Sequence, residues 1–232
     1  MMFIKTYLDI QVAKKLFLWI FLIDLIFVAI HFVTGLLYYL GFIEDIGEYG
    51  FLVLTQDESY AEMFQYIKYV ALIVMTVYLI ILEKSYSYAS WTLLYLFFLL
   101  DDSLSLHEKA GEFLVQKHNF KPMLGLRAVD LGELTFMAAM GVVVLSVLSI
   151  TYFTGSIIFK KRTITCLILL GFLMVFGIGF DMVHVIFGEN LIVNFVIGLI
   201  EDGGEMIIVT LMVCYTYQLI YPVDTYSTPY LK

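Results

Sequence analysis

Long apolar runs broken by short polar clusters make up most of the chain, in place of the alternating pattern of a water-soluble fold. A membrane-crossing helix needs about 20 mostly apolar residues. By that rule the sequence predicts helices near 16–42, 65–83, 89–114, 128–153, 164–187 and 191–221. The expected fold is an all-α integral membrane protein of about six transmembrane helices, the last four forming a bundle around a buried polar site. Residues 1–15 are an N-terminal segment, 16–221 a single transmembrane domain, and 222–232 a C-terminal tail. The 43–64 connection is amphipathic, acidic and tyrosine-containing, as expected of a stretch lying along the interface. The apolar stretch from Leu16 to Phe42 is too long for the core of a signal peptide and has no small-residue cleavage site, so it reads as the first membrane helix.

Composition strengthens this picture. Of 232 residues 62% are hydrophobic, and the mean hydropathy is +0.93, beyond the range of a soluble domain. The three prolines fall outside the apolar runs, and a 17% share of aromatic residues suits helices anchored by rings at the interfaces. A net charge of −8 excludes a nucleic-acid binder, which needs a basic stripe to displace counterions. Cys166 and Cys214 both lie within apolar runs, so they read as buried small hydrophobes rather than a disulfide or a C-x-x-C motif.

Basic residues in short loops set orientation. Lys5, Lys14 and Lys15 precede the first predicted helix, Lys84 follows the second, and Lys160, Lys161 and Arg162 follow the fourth, all on one face. The opposite face receives the 43–64 connection and the Glu189–Asn190 turn, so both termini are expected in the cytoplasm. Lys109, Lys117, Lys121 and Arg127, between the third and fourth helices, run against that assignment. His118 and Arg127 read as solvent or headgroup contacts.

The candidate chemistry lies in four polar clusters: Asp101, Asp102, His107 and Glu108 in the third helix; Asp130 and Glu133 opening the fourth; Asp181 and His184 in the fifth; and Glu201, Asp202 and Glu205 in the sixth. The third and fifth helices carry them in their C-terminal halves, whereas the antiparallel fourth and sixth carry them in their N-terminal halves. With a rise of about 1.5 Å per residue, all four therefore fall at one level, the outer half of the bilayer in this topology. Each ionised group at such depth costs a few kcal/mol, so it is expected to be paired, to face a cavity, or to be functional. On a continuous helix Asp101, Ser105, Glu108 and Glu112 would form one stripe. His107 would lie about 120° away from Asp101, able to join the same site only through a local bulge or a neighbouring helix's angle. Glycines 177, 179, 198, 203 and 204 would let backbones approach closely at this level.

Carboxylates and imidazoles projected from several helices into one core are what a dinuclear iron or manganese centre requires. Asp101, Glu108, Asp181, His184, Glu201 and Glu205 are the expected ligands. Asp102, His107 and Asp202 are expected as supporting or acid/base groups. The likeness to the carboxylate di-iron bundles is chemical, since only Asp181-x-x-His184 has their acid-x-x-His spacing. Zinc is less suited, because its sites are richer in His or Cys, and the H-x-x-x-H pair of the membrane zinc hydrolases related to alkaline ceramidases is absent. The expected function is a metal-dependent membrane oxidoreductase acting on a lipid, quinol or other apolar molecule. The alternatives are a proton or divalent-cation transporter, with Asp24 extending the path inward, and an accessory subunit of a larger membrane complex or oligomer. Asp24 and His31 share a stripe of the first helix, and Asp24 could equally pair with another helix. Asp130 and Glu133 also suit the positive end of a helix dipole.

Overall fold

The computed structural model describes residues 2–123, 125–187 and 191–221. The Glu189–Asn190 turn and the 222–232 tail lie outside them. Among the described residues the regular structure is helical: α1 (Met2–Tyr39), a short 3₁₀ stretch (Ile46–Leu52), α2 (Tyr60–Glu83), α3 (Ala89–Leu104), α4 (Leu106–His118), α5 (Ala128–Thr154), α6 (Ile157–Met174), a π-helical stretch (Val175–Phe180), α7 (Asp181–Phe187) and α8 (Leu191–Ile220). Four segments are long and apolar enough to cross a membrane: Lys14–Tyr39, Tyr60–Glu83, Ala128–Thr154 and Ile157–Phe187. The bent pair α3–α4 makes a fifth if it is one span. The chain is thus consistent with an integral membrane protein.

Local chemistry sets several helix boundaries. Ser59 caps α2 by accepting the Glu62 N–H at 3.2 Å, so α2 begins at Tyr60 rather than near residue 65. Ser156 caps α6 in the same way through the Phe159 N–H, which leaves Lys160, Lys161 and Arg162 in its first turns rather than in a loop. The segment expected as one helix over 164–187 is interrupted by the π-helical stretch, where Gly177 and Gly179 weaken the regular ladder.

The largest departure from the expected pattern is in the third helix. The 89–114 run is two helices, bent by 72° at Ser105, which adopts a left-handed φ of +46°. Short polar side chains compete with the helix ladder here: the Ser103 hydroxyl donates to the Leu99 carbonyl, and the Asp101 carboxylate accepts the His107 N–H across the break at 2.9 Å. The proposed stripe of Asp101, Ser105, Glu108 and Glu112 is therefore broken after its first member, because the later residues belong to a helix with a different axis.

A core of Leu72, Leu79, Trp91, Leu94, Tyr95, Phe159, Leu170, Val209 and Met212 joins α2, α3, α6 and α8. At the end opposite the start of α2, Arg162 pairs with Glu83 and donates to the Tyr88 hydroxyl at 2.5 Å, tying α6 to α2 and α3. α5 stands at the edge: 6% of its most apolar window is buried, against 33% for α2. It is held at both ends. Near its start Gly132 meets Gly111 of α4 so closely that a Cβ on Gly132 would lie 2.4 Å from the Gly111 carbonyl oxygen. Near its finish the Thr151 hydroxyl donates to Ser90 of α3 at 2.9 Å, and Leu148 enters the core. Between these anchors Gly141 faces open space, with nothing within 4 Å of an added Cβ.

This anchoring predicts opposite effects at two glycines of one helix. Gly132→Ala drives a methyl into backbone and should cost about 1–3 kcal/mol, lowering the thermal midpoint. Gly141→Ala fills open space and gains up to about 1 kcal/mol of helix propensity, so its midpoint should stay or rise. Fluorescence-monitored melting in detergent compares them.

Candidate functional site

One cavity of about 650 Å³ opens where α2, α5 and α8 begin and α3 and the α6–α7 segment end. It lies within the range of small-molecule sites. All six expected ligands line it: Asp101 from α3, Glu108 from α4, Asp181 and His184 from α7, and Glu201 and Glu205 from α8. Asp102, His107 and Asp202 line it too. Glu62, Asp57, Glu112 and Glu133 bring the wall to eleven carboxylates, against the single guanidinium of Arg127. The end of the α1–α2 connection, from Leu54 to Asp57, closes one side. It is fastened by the Leu54 N–H, which donates to Nδ1 of the buried His31 at 3.1 Å.

Both cavity histidines are held alike. His107 Nδ1 lies 3.2 Å from Asp101 Oδ2, and His184 Nδ1 lies 3.2 Å from Glu201 Oε2. An ionised carboxylate only accepts, so opposite one Nδ1 carries a proton, and an imidazole in its neutral form would then have its lone pair on Nε2. No bond from either Nε2 to another described residue is present. A carboxylate on Nδ1 with Nε2 free is the arrangement that orients an imidazole as metal ligand or as proton acceptor. The helix break makes the first pair possible, since the bend at Ser105 swings the His107 ring back over the end of α3 onto Asp101.

Glycines shape the acid-lined end. A Cβ on Gly177 would lie 2.0 Å from Glu205 Oε1, so the π-helical backbone makes room for that carboxylate. A Cβ on Gly204 would lie 2.2 Å from the Phe176 ring, which seats the same stretch against α8. Further in, the lining turns apolar, with Leu94, Phe97, Phe98, Met140, Val144 and Leu170.

Each histidine is paired with one carboxylate, and among the described residues no group of three or more His, Cys, Asp or Glu side chains could hold a metal ion. Asp130 does not line the cavity. It accepts the backbone N–H of Arg127 at 2.7 Å and its guanidinium at 2.6 Å, capping α5, and that bond raises the Arg127 guanidinium above its ordinary range. Arg127, read from sequence as a solvent or headgroup contact, has a side chain 73% exposed and also lines the cavity.

Two residues on α2 escaped the sequence reading. Lys68 is 3% exposed; its ammonium contacts Asp24 Oδ1 at 3.0 Å, the Met206 carbonyl at 2.9 Å and the Thr210 hydroxyl at 3.4 Å. Thr210 in turn donates to Asp24. Asp24 is thus a helix-packing group joining α1, α2 and α8. A single Lys within the 65–83 apolar run, beside a single Asp in the first, was the available signal. Gln65, one turn before Lys68 and Tyr69, is 6% exposed and lines the cavity, its amide fully buried and within electrostatic reach of the Tyr69 hydroxyl.

A family model described as a domain of unknown function, DUF8692, matches residues 25–219. The chain belongs to this family. Searches of curated proteins and of solved structures gave no match. Every cavity-lining residue, from Leu54 to Met206, falls inside the DUF8692 region, as do His31 and Lys68, whereas Asp24 stands one residue before it.

The Lys68 pair sets a stability prediction. Lys68→Met leaves Asp24 buried without its cation and should cost about 3–5 kcal/mol, whereas Asp24→Asn with Lys68→Met together should recover much of that loss. Thermal melting of the two variants checks it; equal destabilisation of both would show that the pair is not what holds α1 to α2.

Proposed function

We propose that this DUF8692 protein crosses the membrane six times, with α8 as the sixth span, and that its acid-lined cavity is the site of a metal-dependent enzyme acting on an apolar or lipid-like molecule. In this reading both termini are cytoplasmic and the cavity lies in the outer half of the bilayer. The observation that carries it is the gathering of eleven carboxylates and two carboxylate-held histidines around one cavity with a single arginine. So many acids at membrane depth call for positive charge, and divalent cations supply it most economically.

Asp181, His184 and Glu201 would form one half of a dinuclear iron or manganese site, and Asp101, Glu108 and Glu205 would supply carboxylate oxygen to the other. Loading requires these paired side chains to turn toward the ions. Asp102, His107 and Asp202 would then orient ligands or move protons. An oxygen-rich site of this kind suits redox chemistry better than zinc hydrolysis. Transport has less support: Asp24, the residue that would extend an ion path, is already engaged by Lys68 and Thr210, and the cavity floor is apolar.

Elemental analysis of the detergent-purified protein tests the reading. About two iron or manganese ions per chain are expected, and Asp181→Asn and Glu201→Gln should each lower that content at least twofold. Full metal retention in both variants, or no stoichiometric metal in the reconstituted wild type, overturns the metal site. Metal-dependent cation flux into liposomes would replace the enzyme with a transporter.

A further inference from the structure

We infer that the cavity takes a long-chain amine, its ammonium group held between Asp102 and Glu205 and its alkyl chain lying in the groove between α3, α5 and the α6–α7 segment. The inference rests on the proposed site only in naming its substrate class, and the binding it asserts does not require the metal.

Three helix faces line the groove, and each passes from apolar to acidic toward the same end. The lining runs from Leu94 to Asp102 on α3, from Leu145 to Glu133 on α5, and from Leu170 to Asp181 on the α6–α7 segment. At about 1.5 Å per residue the two longer faces extend about 16–18 Å. The groove is unfilled beside Gly141, where an added Cβ meets nothing within 4 Å. Leu145 lines its apolar end while being 50% exposed, so that end opens sideways between helices. An extended chain with a polar head matches both the gradient and the route of entry.

Lipid tails are as apolar as the groove, so a chain alone gains little by leaving the bilayer. Selection must come from the acidic end. Glu205 is the innermost acid of α8, and of the surrounding charges Asp102 of α3 acts on it most strongly. Both side chains line the cavity and keep surface open to it. Asp101 and Glu201 each hold a histidine, whereas neither the Asp102 nor the Glu205 carboxylate accepts a hydrogen bond from a described residue. The charge of Lys68 reaches Glu205, but its donors are taken by Asp24, Met206 and Thr210. Enclosed carboxylates without donors call for a group that brings positive charge and N–H together. An anionic head is repelled by this wall, an alcohol brings a donor without charge, and a trimethylammonium brings charge without a donor. A primary ammonium supplies both.

The test uses the full chain in nanodiscs of saturated phosphatidylcholine, once chelator-treated and once loaded with manganese. The probes are a sixteen-carbon primary amine and the matching alcohol and trimethylammonium compounds, each with a mid-chain diazirine. After illumination, label on the 137–145 stretch is measured by peptide mapping against label on the exposed Leu18, Leu22 and Leu25 of α1. The amine should exceed either analogue about tenfold in both metal states, the scale of one charge-assisted hydrogen bond. Asp102→Asn and Glu205→Gln keep the side-chain shape and should each lower that preference roughly threefold or more. Gly141→Phe should abolish labelling of the groove, and Val142→Phe, on the exposed side of the same helix, should leave it unchanged. Equal labelling by amine and alcohol, an unchanged preference in both acid variants, or label confined to the exposed side of α5 would overturn the inference. A trimethylammonium probe that labels as strongly as the amine would overturn it too, by showing that charge alone is read. A preference that persists in chelator-treated protein separates this result from any failure of the metal site.

Discussion

The left-handed turn at Ser105 is the constraint on which the cavity depends. By ending α3 there, the chain turns α4 through 72° and lays it across the start of α5. The Gly111–Gly132 crossing then fixes that end of α5, while Leu148 and Thr151 fix the other against α3. Between these ends Val144 packs against the core while Gly141 meets nothing within 4 Å, and the space beside Gly141 joins the inner part of the cavity. Had α3 run straight to residue 114, α4 would have continued along the α3 axis and this clamp on α5 would not exist.

Asp101 shows how structural and chemical roles coincide at the break. One carboxylate oxygen accepts the His107 backbone N–H that would otherwise lack a partner at the start of α4. The other holds the His107 ring. A residue that serves only as a cap does not need to fix an imidazole, and one that serves only as a ligand would leave the helix start unsatisfied. His184 and Glu201 repeat the ring contact between α7 and α8 without a break, so the two histidines reach the same cavity by different local routes.

The buried lysine makes its hydrogen bonds away from the cavity's acids. Lys68 has its three donors met by Asp24, Met206 and Thr210, which makes it a bolt between α1, α2 and α8, and its charge also acts on Glu205 of the cavity wall. Arg127 is spent largely on Asp130. The cavity wall is thus left with eleven carboxylates against two histidines and Arg127, and this imbalance underlies the proposed reading of the site as one completed by a cation.

The sequence by itself determined the long apolar helices that make the chain consistent with an integral membrane protein, and the gathering of its acids at one end of neighbouring helices. Both follow from one-dimensional facts, the length of apolar runs and the position of polar residues along antiparallel helices, which fix the place of each residue along its helix at about 1.5 Å per residue. It also named nine residues that line a single cavity, because polar groups in apolar helices have few other places to go. Only the tertiary structure decided how they meet. The break at Ser105 depends on Asp101 and Ser103 outcompeting the local ladder, and a 3.6-residue periodicity read through it gives a stripe that does not form. The partner of Asp24 and the meeting of Glu201 with His184 are contacts set by helix packing. Spacing along one helix fixes which residues share its face, but the rotation and tilt of neighbouring helices fix what that face meets.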